Sequence, residues 1–236
     1  GGPSDTMIAG AVWIFFRNGT TWTQPTSKIT VSGYTMFGIS VALSGDGYRL
    51  VVGSNLDNAN VGAMWVFYRS DNYFTTIPST KLSPSNNIGA SKFGSCVDIS
   101  EDGTIIAVSG PEDNSNIGAV WIFNYINNTW LQTTKLVGDY YLGTPYQGYS
   151  LSLSNDGTKL VVGGYFLNYN GTPANLIIRL NSDGSVDTSF VYGIGFNGFS
   201  VIAIAIQLNG KIVVGGNFIS YDGTSANYIA ILNNNN

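Results

Sequence analysis

Histidine is absent from the 236-residue sequence, and its absence excludes several kinds of active site. Without imidazole, neither a Ser-His-Asp triad, nor a Cys-His dyad, nor a histidine metal site can be built. Cysteine occurs once, at Cys96, so no internal disulfide can form. With no histidine to activate it, the Cys96 thiol is expected to be inert.

Charge is also scarce, because charged residues make up 10% of the sequence and the net charge is −4. No basic patch of the kind that holds nucleic acid is present, so no nucleic-acid partner is expected. No apolar run is long enough to cross a bilayer, so no membrane span is predicted in this segment.

Paired carboxylates are the remaining route to acid–base chemistry. Two adjacent pairs occur, Glu101-Asp102 and Glu112-Asp113, and both are interpreted as solvated turn residues. We therefore predict that the protein is not an enzyme and has no cofactor.

Two short motifs recur with one period. The motif GAxWxF occupies residues 10–15, 62–67 and 118–123, and its copies lie 52 and 56 residues apart. The motif Phe-Gly shares that period at Gly38 and Gly94, whereas its third copy has Gln147 before Gly148. Two motifs with a common period indicate a structural repeat.

Each repeat contains four segments that resemble strands. Apolar and small residues alternate in residues 39–44 and 149–154, which is the period of a half-buried strand. Asp-Gly and Asn-Gly pairs separate the segments and tolerate the positive φ angles of tight hairpins. Thirty glycines argue against long helices.

Four strands about every 50 residues predict an all-β fold, a β-propeller of four-stranded antiparallel blades. Whole blades are expected near 38–83, 93–137 and 149–190, with two outer strands of another at 10–30 and three strands at 199–232. Trp13, Trp65 and Trp121 should occupy equivalent packing positions between blades.

Residues 1–236 are thus predicted to be a single propeller domain or a propeller fragment, with an Asn-rich tail at 233–236. The end pieces could complete one another in a four-bladed ring, or they could be the open ends of about five blades in a larger ring. We favour the larger ring, because closure would leave GAVWIF and NYIAIL competing for one place. The opening residues, GGPSDTMIA, match the end of a repeat, which predicts that the chain is a piece of a longer polypeptide.

The motifs in residues 10–164 resemble FG-GAP repeats, the blades of integrin-α-like propellers, through Phe37-Gly38, Phe93-Gly94, the GAxW runs and the DGxxLVVG segments. Residues 165–232 resemble delta-60 repeats through residues 180–190, 195–198 and 203–218, with Asn209 in place of the usual aspartate. Both resemblances imply a propeller. Neither implies a specific activity, because propellers host unrelated functions.

The FG-GAP resemblance raises the question of calcium, which integrin repeats bind through a D-x-[DN]-x-D-G-x-x-D loop. A hard cation needs several oxygen ligands at once. In the first three repeats the first ligand position is Ala42, Asp98 or Ser152, and the last position is apolar in each. Calcium is therefore possible but disfavoured.

The loops at one end of the propeller are the predicted functional surface, because loops on a rigid scaffold commonly bind partners. Candidate loops are 54–61, 110–117, 165–174 and 217–226. The last two are rich in residues that suit protein or glycan ligands. The candidate binding residues are Tyr165, Asn168, Tyr169, Asn170, Tyr221 and Asp222. The alternative interpretation is that Asn-Gly-Thr and Asp-Gly-Thr simply form turns.

The leading hypothesis is a non-enzymatic structural or protein-interaction module of a larger protein. A glycan-binding, lectin-like propeller is the alternative, and a propeller hydrolase is less favoured. The delta-60 resemblance and the Asn-rich composition are similar to those of proteins of giant viruses and some bacteria, which implies a virion, extracellular or cell-surface location. N-x-T sequons at Asn18, Asn127 and Asn170 are compatible with secretion.

Overall fold

The computed structural model describes residues 1–4, 9–24, 27–33, 35–70, 73–74, 80–138, 144–191 and 193–233. Strands account for 51% of the protein and helices for 4%. Of the predicted tail, residues 234–236 lie outside the described residues.

In the described residues the strands form five successive antiparallel sheets, numbered in chain order, and one small two-stranded hairpin within a loop of the fourth. Sheet 1 contains β1 (Phe16–Asn18) and β2 (Thr21–Thr23). Sheet 2 contains β3 (Ser40–Leu43), β4 (Arg49–Ser54), β5 (Ala63–Ser70), β6 (Tyr73–Phe74) and β7 (Thr80–Leu82). Sheet 3 contains β8 (Val97–Ile99), β9 (Ile105–Gly110), β10 (Ala119–Ile126) and β11 (Thr129–Leu136).

Sheet 4 contains β12 (Ser150–Leu153), β13 (Lys159–Gly163) and β16 (Ile177–Asn181), with a hairpin of β14 (Asn168–Tyr169) and β15 (Thr172–Pro173) in its loop. Sheet 5 contains β17 (Phe196–Ile206), β18 (Ile212–Tyr221), β19 (Thr224–Ser225) and β20 (Ile229–Leu232). Neighbouring strands in each sheet are joined in chain order, which is the up-and-down order of a propeller blade.

Each of sheets 2 to 4 packs one face on the sheet before it, here called its head face, and the other on the sheet after it, its tail face. In sheet 3 the head face carries Trp121, Phe123 and Trp130, which are 0%, 2% and 4% exposed. These rings share one core with the tail face of sheet 2, formed by Val51, Met64 and Val66. Because side chains alternate along a strand, one sequence supplies both faces.

Four such cores join the five sheets in order, each shared by two consecutive sheets. The repeated Phe of the Phe-Gly motif strengthens two of them. Phe37 meets Trp65 edge to face with ring centroids 5.5 Å apart, and Phe93 meets Trp121 at 5.4 Å. In sheet 4, Gln147 replaces the ring and instead bonds the backbone of Gly138, accepting from its N–H at 2.7 Å.

Two expectations need correction. The strand predicted to complete the blade at 149–190 is reduced to a single bridge between Leu180 and Val186. The chain turns again at once, because the Asp187 carboxylate accepts the Ser189 N–H at 3.1 Å. Trp13 is not equivalent to Trp65 and Trp121: its side chain is 38% exposed, since sheet 1 has no sheet before it in the structure.

The helix content assigned to the described residues is two four-residue turns, Asp57–Asn60 and Asp113–Asn116, and both contain left-handed residues. Asn58 and Ala59 have φ angles of 48° and 54°, and Asn60 has 71°. A side chain in this region costs roughly 1–2 kcal/mol, which asparagine tolerates better than alanine does. Each turn leads the chain to the glycine that begins the GAxW motif, Gly62 or Gly118.

Replacing Ala59 with glycine should stabilise the protein by about 1 kcal/mol, because glycine relieves the left-handed strain. Urea unfolding at neutral pH measures the change. Ala90→Gly is the control: Ala90 is exposed, lies in the next loop and has no positive φ, so its replacement should stabilise nothing. Equal changes in the free energy of unfolding for the two variants would show that the left-handed conformation of Ala59 is not strained.

Trp65→Ala should lower the free energy of unfolding by about 3–5 kcal/mol, because a 5%-exposed indole leaves a cavity between sheets 1 and 2. Trp13→Ala removes the same side chain at the same repeat position, and it should cost under half as much. A urea midpoint that moves equally for both variants would show that burial between sheets does not distinguish them.

Candidate functional site

One end of the array is formed by the loops predicted to bind a partner. This loop rim comprises the loops between the second and third strands of sheets 2–5 (55–62, 111–118, 164–176 and 222–228) and the connections between sheets (83–96, 144–149 and 187–195). Antiparallel order places these segments at one end, because every second turn of an up-and-down sheet falls on the same side.

Backbone hydrogen bonds link neighbouring loops of the rim. The Lys92 N–H donates to the Asn60 carbonyl at 3.0 Å, and the Tyr146 N–H donates to the Asn116 carbonyl at 2.9 Å. Further along, the Asp222 N–H donates to the Gly195 carbonyl at 2.9 Å. A loop held in this way presents its side chains in fixed positions.

Ion pairs anchor two of the rim loops to the sheets. Asp57 lies 2.7 Å from Lys81, and Asp113 lies 2.6 Å from Lys135. Lys135 also sits over the Trp121 ring at 5.1 Å. Asp113 is 1% exposed and its other oxygen accepts the Ile88 N–H at 2.7 Å, so it is a buried anchor and not the solvated turn residue expected from the sequence.

Asn170 and Asp222, two of the predicted binding residues, occupy hairpin turns. Asn170-Gly171 has φ angles of 49° and 77°, and Asp222-Gly223 has 47° and 75°. Positive φ at both central residues is the type I′ requirement, so these pairs are turn residues, as the alternative interpretation held. Asp222 also holds the adjacent loop, because its carboxylate accepts the Ile194 N–H at 2.9 Å.

Tyr169 and Tyr221, two more of the predicted residues, face the interior. Tyr169 is 3% exposed and belongs to the core between sheets 3 and 4. Tyr221 packs at the edge of the core between sheets 4 and 5, with its ring 4.7 Å from that of Phe196. Asn168 is partly buried in β14 opposite Pro173. These residues shape the two hairpins and do not meet in one pocket.

Tyr165 alone of the predicted residues presents an exposed ring, and it does so in a cluster. Its centroid lies 5.5 Å from that of Tyr146 and 5.4 Å from that of Tyr149, both edge to face. Tyr149 and Tyr165 are 44% and 40% exposed. The nearby Tyr165 phenol, with partial burial, raises the pKa of Tyr149. In the sequence, this cluster is indicated only by the tyrosines on both sides of Gln147-Gly148. Their contact with Tyr165 arises from the tertiary structure.

Other large apolar side chains are exposed along the same rim. With the tyrosines they come from five of its segments, and the whole set is Ile88, Tyr149, Tyr165, Leu167, Val191, Ile194 and Tyr228. A series of exposed apolar groups on a rigid backbone is the surface that a partner can bury.

At the opposite end of the array, tight turns share the same set of side-chain hydrogen bonds. Ser44 donates to Asp46 and Ser154 donates to Asp156, each at 2.6 Å, and the backbone N–H two residues after each aspartate also donates to it. These hydrogen bonds lower the pKa of both aspartates. The carboxylates at this end therefore close turns.

An axial groove of about 520 Å³ runs between the inner strands of the sheets and is lined by Leu43, Cys96, Asp98 and Ile204, among others. Asp98 ties two sheets together, because its oxygens accept the Leu153 N–H at 2.8 Å and the Ile99 N–H at 2.9 Å. Burial raises the pKa of Asp98. It also raises the pKa of the Cys96 thiol to about 11, which disfavours the reactive thiolate.

A charged cluster lies between sheets 4 and 5, beside a cavity of about 560 Å³. Asp187 accepts from Arg179 Nε at 2.8 Å and lies 3.0 Å from Lys159 Nζ, and the Ser189 hydroxyl donates to it at 2.7 Å. Arg179 and Asp187 are each 4% exposed. Burial alone would raise the pKa of Asp187, but the Ser189 and Lys159 hydrogen bonds and the Arg179 charge lower it well below its ordinary value.

The described residues contain neither a group of metal-ligating side chains nor a helix that could span a membrane. In that part of the chain no three His, Cys, Asp or Glu side chains are grouped to hold a metal ion. No helix there has the length and apolar content needed to span a bilayer.

Asp187→Asn should lower the free energy of unfolding at pH 7 by about 3 kcal/mol, because it leaves two cations without their shared carboxylate. The lowered pKa means that this stabilisation is present above the ordinary carboxyl pKa of 3.8 and is lost as the pH falls below it. The wild-type protein should therefore lose stability between about pH 4 and pH 2 more steeply than the variant does.

Urea unfolding at a series of pH values checks both parts, with Asp183→Asn, an exposed turn residue of the same segment, as the control at pH 7. If stability falls with pH in parallel for the wild type and Asp187→Asn, the charged cluster is not the source of the loss of stability in acid.

Comparison with known proteins supports the architecture. A family model described as a domain of unknown function (DUF5122) beta-propeller matches residues 156–190 and 207–235. Among solved structures, the chain is similar to the β-propeller domain of Cps50 (Swd1) from Myceliophteria thermophila, with a TM-score of 0.57, 8% identity and 89% of this chain covered. A search of curated proteins found no match.

The chain spans 57% of the length of that propeller domain. TolB from Acinetobacter baumannii is also similar, with a TM-score of 0.48, 15% identity, and 90% of this chain and 47% of that chain covered. The five sheets described here do not close a ring. Together with their antiparallel order, the family model and the Cps50 likeness show that the chain is an all-β repeat protein with the architecture of a partial β-propeller.

Proposed function

We propose that the chain is a non-enzymatic β-propeller module that binds another protein through its loop rim. The observation that carries the proposal is the series of exposed apolar side chains on the rim, centred on Tyr149 and Tyr165, which are 44% and 40% exposed. Interfaces are enriched in tyrosine because it buries a large area and keeps a polar tip.

The rigidity of the rim supports the same role. Its loops are tied by backbone hydrogen bonds across sheets and by the Asp113–Lys135 ion pair at 2.6 Å. A surface that is already ordered loses little conformational entropy when a partner binds. A partner of complementary shape can therefore bind the rim at a low entropic cost.

The state of the carboxylates supports a role without catalysis or a cofactor. Asp57, Asp113 and Asp187 are held in ion pairs, and Asp46 and Asp156 close turns. A glycosidase needs two carboxyl groups facing one cleft, free to protonate and attack. These aspartates are instead used to fix the backbone.

A glycan is the second candidate ligand, and the tyrosine cluster favours it. Sugar rings stack on aromatic faces, and the phenol groups of Tyr149 and Tyr165 are able to form hydrogen bonds with sugar hydroxyl groups at the edge of the tyrosine cluster.

We also propose, from the sequence resemblance, that the repeats are of the FG-GAP and delta-60 types and that the protein has a virion, extracellular or cell-surface location.

A peptide-display selection tests the rim directly. Random peptides are selected on the immobilised protein and then measured on a Tyr149→Ala/Tyr165→Ala double variant. Binders of the rim should lose about tenfold or more in affinity, because two aromatic contacts are removed. A glycan array probed with the same two proteins separates the second candidate, since its signal would come from sugars alone.

Tyr48→Ala is the matched control, because Tyr48 is 49% exposed but lies in the turn at the opposite end. It should leave the affinities unchanged. A selection whose binders tolerate the double variant as well as the control would refute a site at the tyrosine cluster.

A further inference from the structure

Two cavities between consecutive sheets lie at equivalent places in the repeat but differ in size and lining. The cavity between sheets 3 and 4 has a volume of about 260 Å³, and its lining includes Ile105 and Ile122. The cavity between sheets 4 and 5 has a volume of about 560 Å³, and its lining includes Lys159 and Arg179. Ile105 and Lys159 each begin the second strand of their sheet, and Ile122 and Arg179 hold the same register in the third strand. Two isoleucines of one cavity are thus two cations in the next.

The difference in size follows from where the first of these side chains lies. A Cβ added to Gly157, in the turn of sheet 4, would lie 2.6 Å from Ile105 Cδ1, so Ile105 reaches across to the next sheet. Lys159 is held on the sheet 4 side instead, because Nζ donates to Asn181 Oδ1 at 2.6 Å and lies 3.0 Å from Asp187 Oδ2. The space that a side chain fills in the first cavity is therefore open in the second.

The two cations of the larger cavity are fixed in position. Arg179 donates to Asp187 through Nε at 2.8 Å and to the Ser189 hydroxyl through Nη2 at 3.0 Å, and it lies over the Phe190 ring at 4.6 Å. Because Arg179 and Lys159 share the single Asp187 carboxylate, the cluster carries one positive charge in excess. An ammonium group has three N–H donors, and the Asn181 and Asp187 contacts of Lys159 use two of them.

The rest of the lining combines hydrogen-bonding and apolar groups. The β12–β13 and β17–β18 turns border the cavity and contribute the amide groups of Asn155, Gln207 and Asn209. Ile206 and Leu208 contribute apolar surface on the sheet 5 side. A few polar groups beside apolar ones, in a cavity of about 300–1,000 Å³, are typical of a site for a small molecule.

We propose that the cavity between sheets 4 and 5 binds a small carboxylate that also carries hydroxyl groups, which is the chemistry of an acidic sugar. The ligand carboxylate accepts a charge-assisted hydrogen bond from Lys159, and the Arg179 charge behind it strengthens the attraction. The ligand hydroxyl groups bond the amides of the two turns, and its carbon atoms pack on Ile206 and Leu208. These turns lie at the end of the array opposite the loop rim, so the proposal does not depend on the role of the rim.

One carboxylate of the lining works against an anionic ligand and so provides a test. Asp156 closes the β12–β13 turn, because it accepts from Ser154 Oγ at 2.6 Å and from the Thr158 N–H at 3.0 Å. Asn209 holds this turn position in sheet 5, and its Oδ1 accepts the Lys211 N–H at 3.1 Å. Asparagine therefore closes such a turn without a charge, so Asp156→Asn should keep the fold and remove the repulsion.

NMR titration of the whole chain at neutral pH measures binding of three probes. Glucuronate carries the carboxylate and the hydroxyl groups together, glucose carries hydroxyl groups alone, and acetate carries the carboxylate alone. Glucuronate should bind with a Kd of about 1 mM, as its size allows, and the other two at least about tenfold more weakly. An affinity for glucose or acetate equal to that for glucuronate would overturn the proposal, and so would no glucuronate binding at about 10 mM.

Two substitutions should change the glucuronate affinity in opposite directions. Lys159→Ile, which copies the isoleucine of sheet 3, should weaken it about tenfold or more, because the charged donor is lost. Asp156→Asn should strengthen it about twofold to fivefold, because a like charge is removed near the surface.

Lys211→Ile is the matched control, because Lys211 is an exposed lysine of the β17–β18 turn outside the cavity lining. It should leave the affinity unchanged. Thermal unfolding by circular dichroism checks that each variant is folded, and Lys159→Gln replaces Lys159→Ile if that variant is not. Changes in the same direction for the Lys159 and Asp156 variants, or equal losses for the Lys159 and Lys211 variants, would show that Lys159 does not bind the carboxylate.

Discussion

The structure depends on one contact made repeatedly: an apolar face of one sheet packed on an apolar face of the sheet before it, with aromatic rings supplied by sheets 2 and 3. Neither face is stable in water, because a three- or four-stranded sheet exposes apolar side chains on both sides. Stacking in series solves this for every interior sheet. The Trp121 and Phe123 rings are nearly inaccessible for this reason, whereas their counterparts Trp13 and Phe15 are exposed.

Polar residues then fix the geometry that packing leaves free. In a chain with only 10% charged residues, aspartates are placed where they order the backbone. Some close the Ser-x-Asp-Gly turns at one end, as Asp46 does. Others anchor loops at the other end through lysine, as Asp113 does with Lys135. The loops are therefore held in fixed positions, and several of their exposed side chains are apolar or aromatic.

Sequence reasoning located the strands and turns well and the side-chain environments less well. Period-two alternation and Asp-Gly pairs have local causes, so they can be recognised without coordinates. Burial of Asp113 and Tyr169 depends on which sheet lies opposite, and no local pattern encodes that. From the sequence, Asn170 and Asp222 could be interpreted either as binding residues or as turn residues. Their φ angles in the structure, which are those of type I′ turns, place both residues in turns.

The sequence by itself determined the repeat, the all-β class and the propeller order, because a periodic pattern of strands can bury its apolar faces only by stacking like units. It also excluded histidine chemistry outright. Tertiary structure alone decided which aromatic residues are core and which are surface, because equivalent positions differ only in whether a neighbour covers them. It also brought Tyr146, Tyr149 and Tyr165 together, since their contact depends on how the chain enters and leaves one sheet.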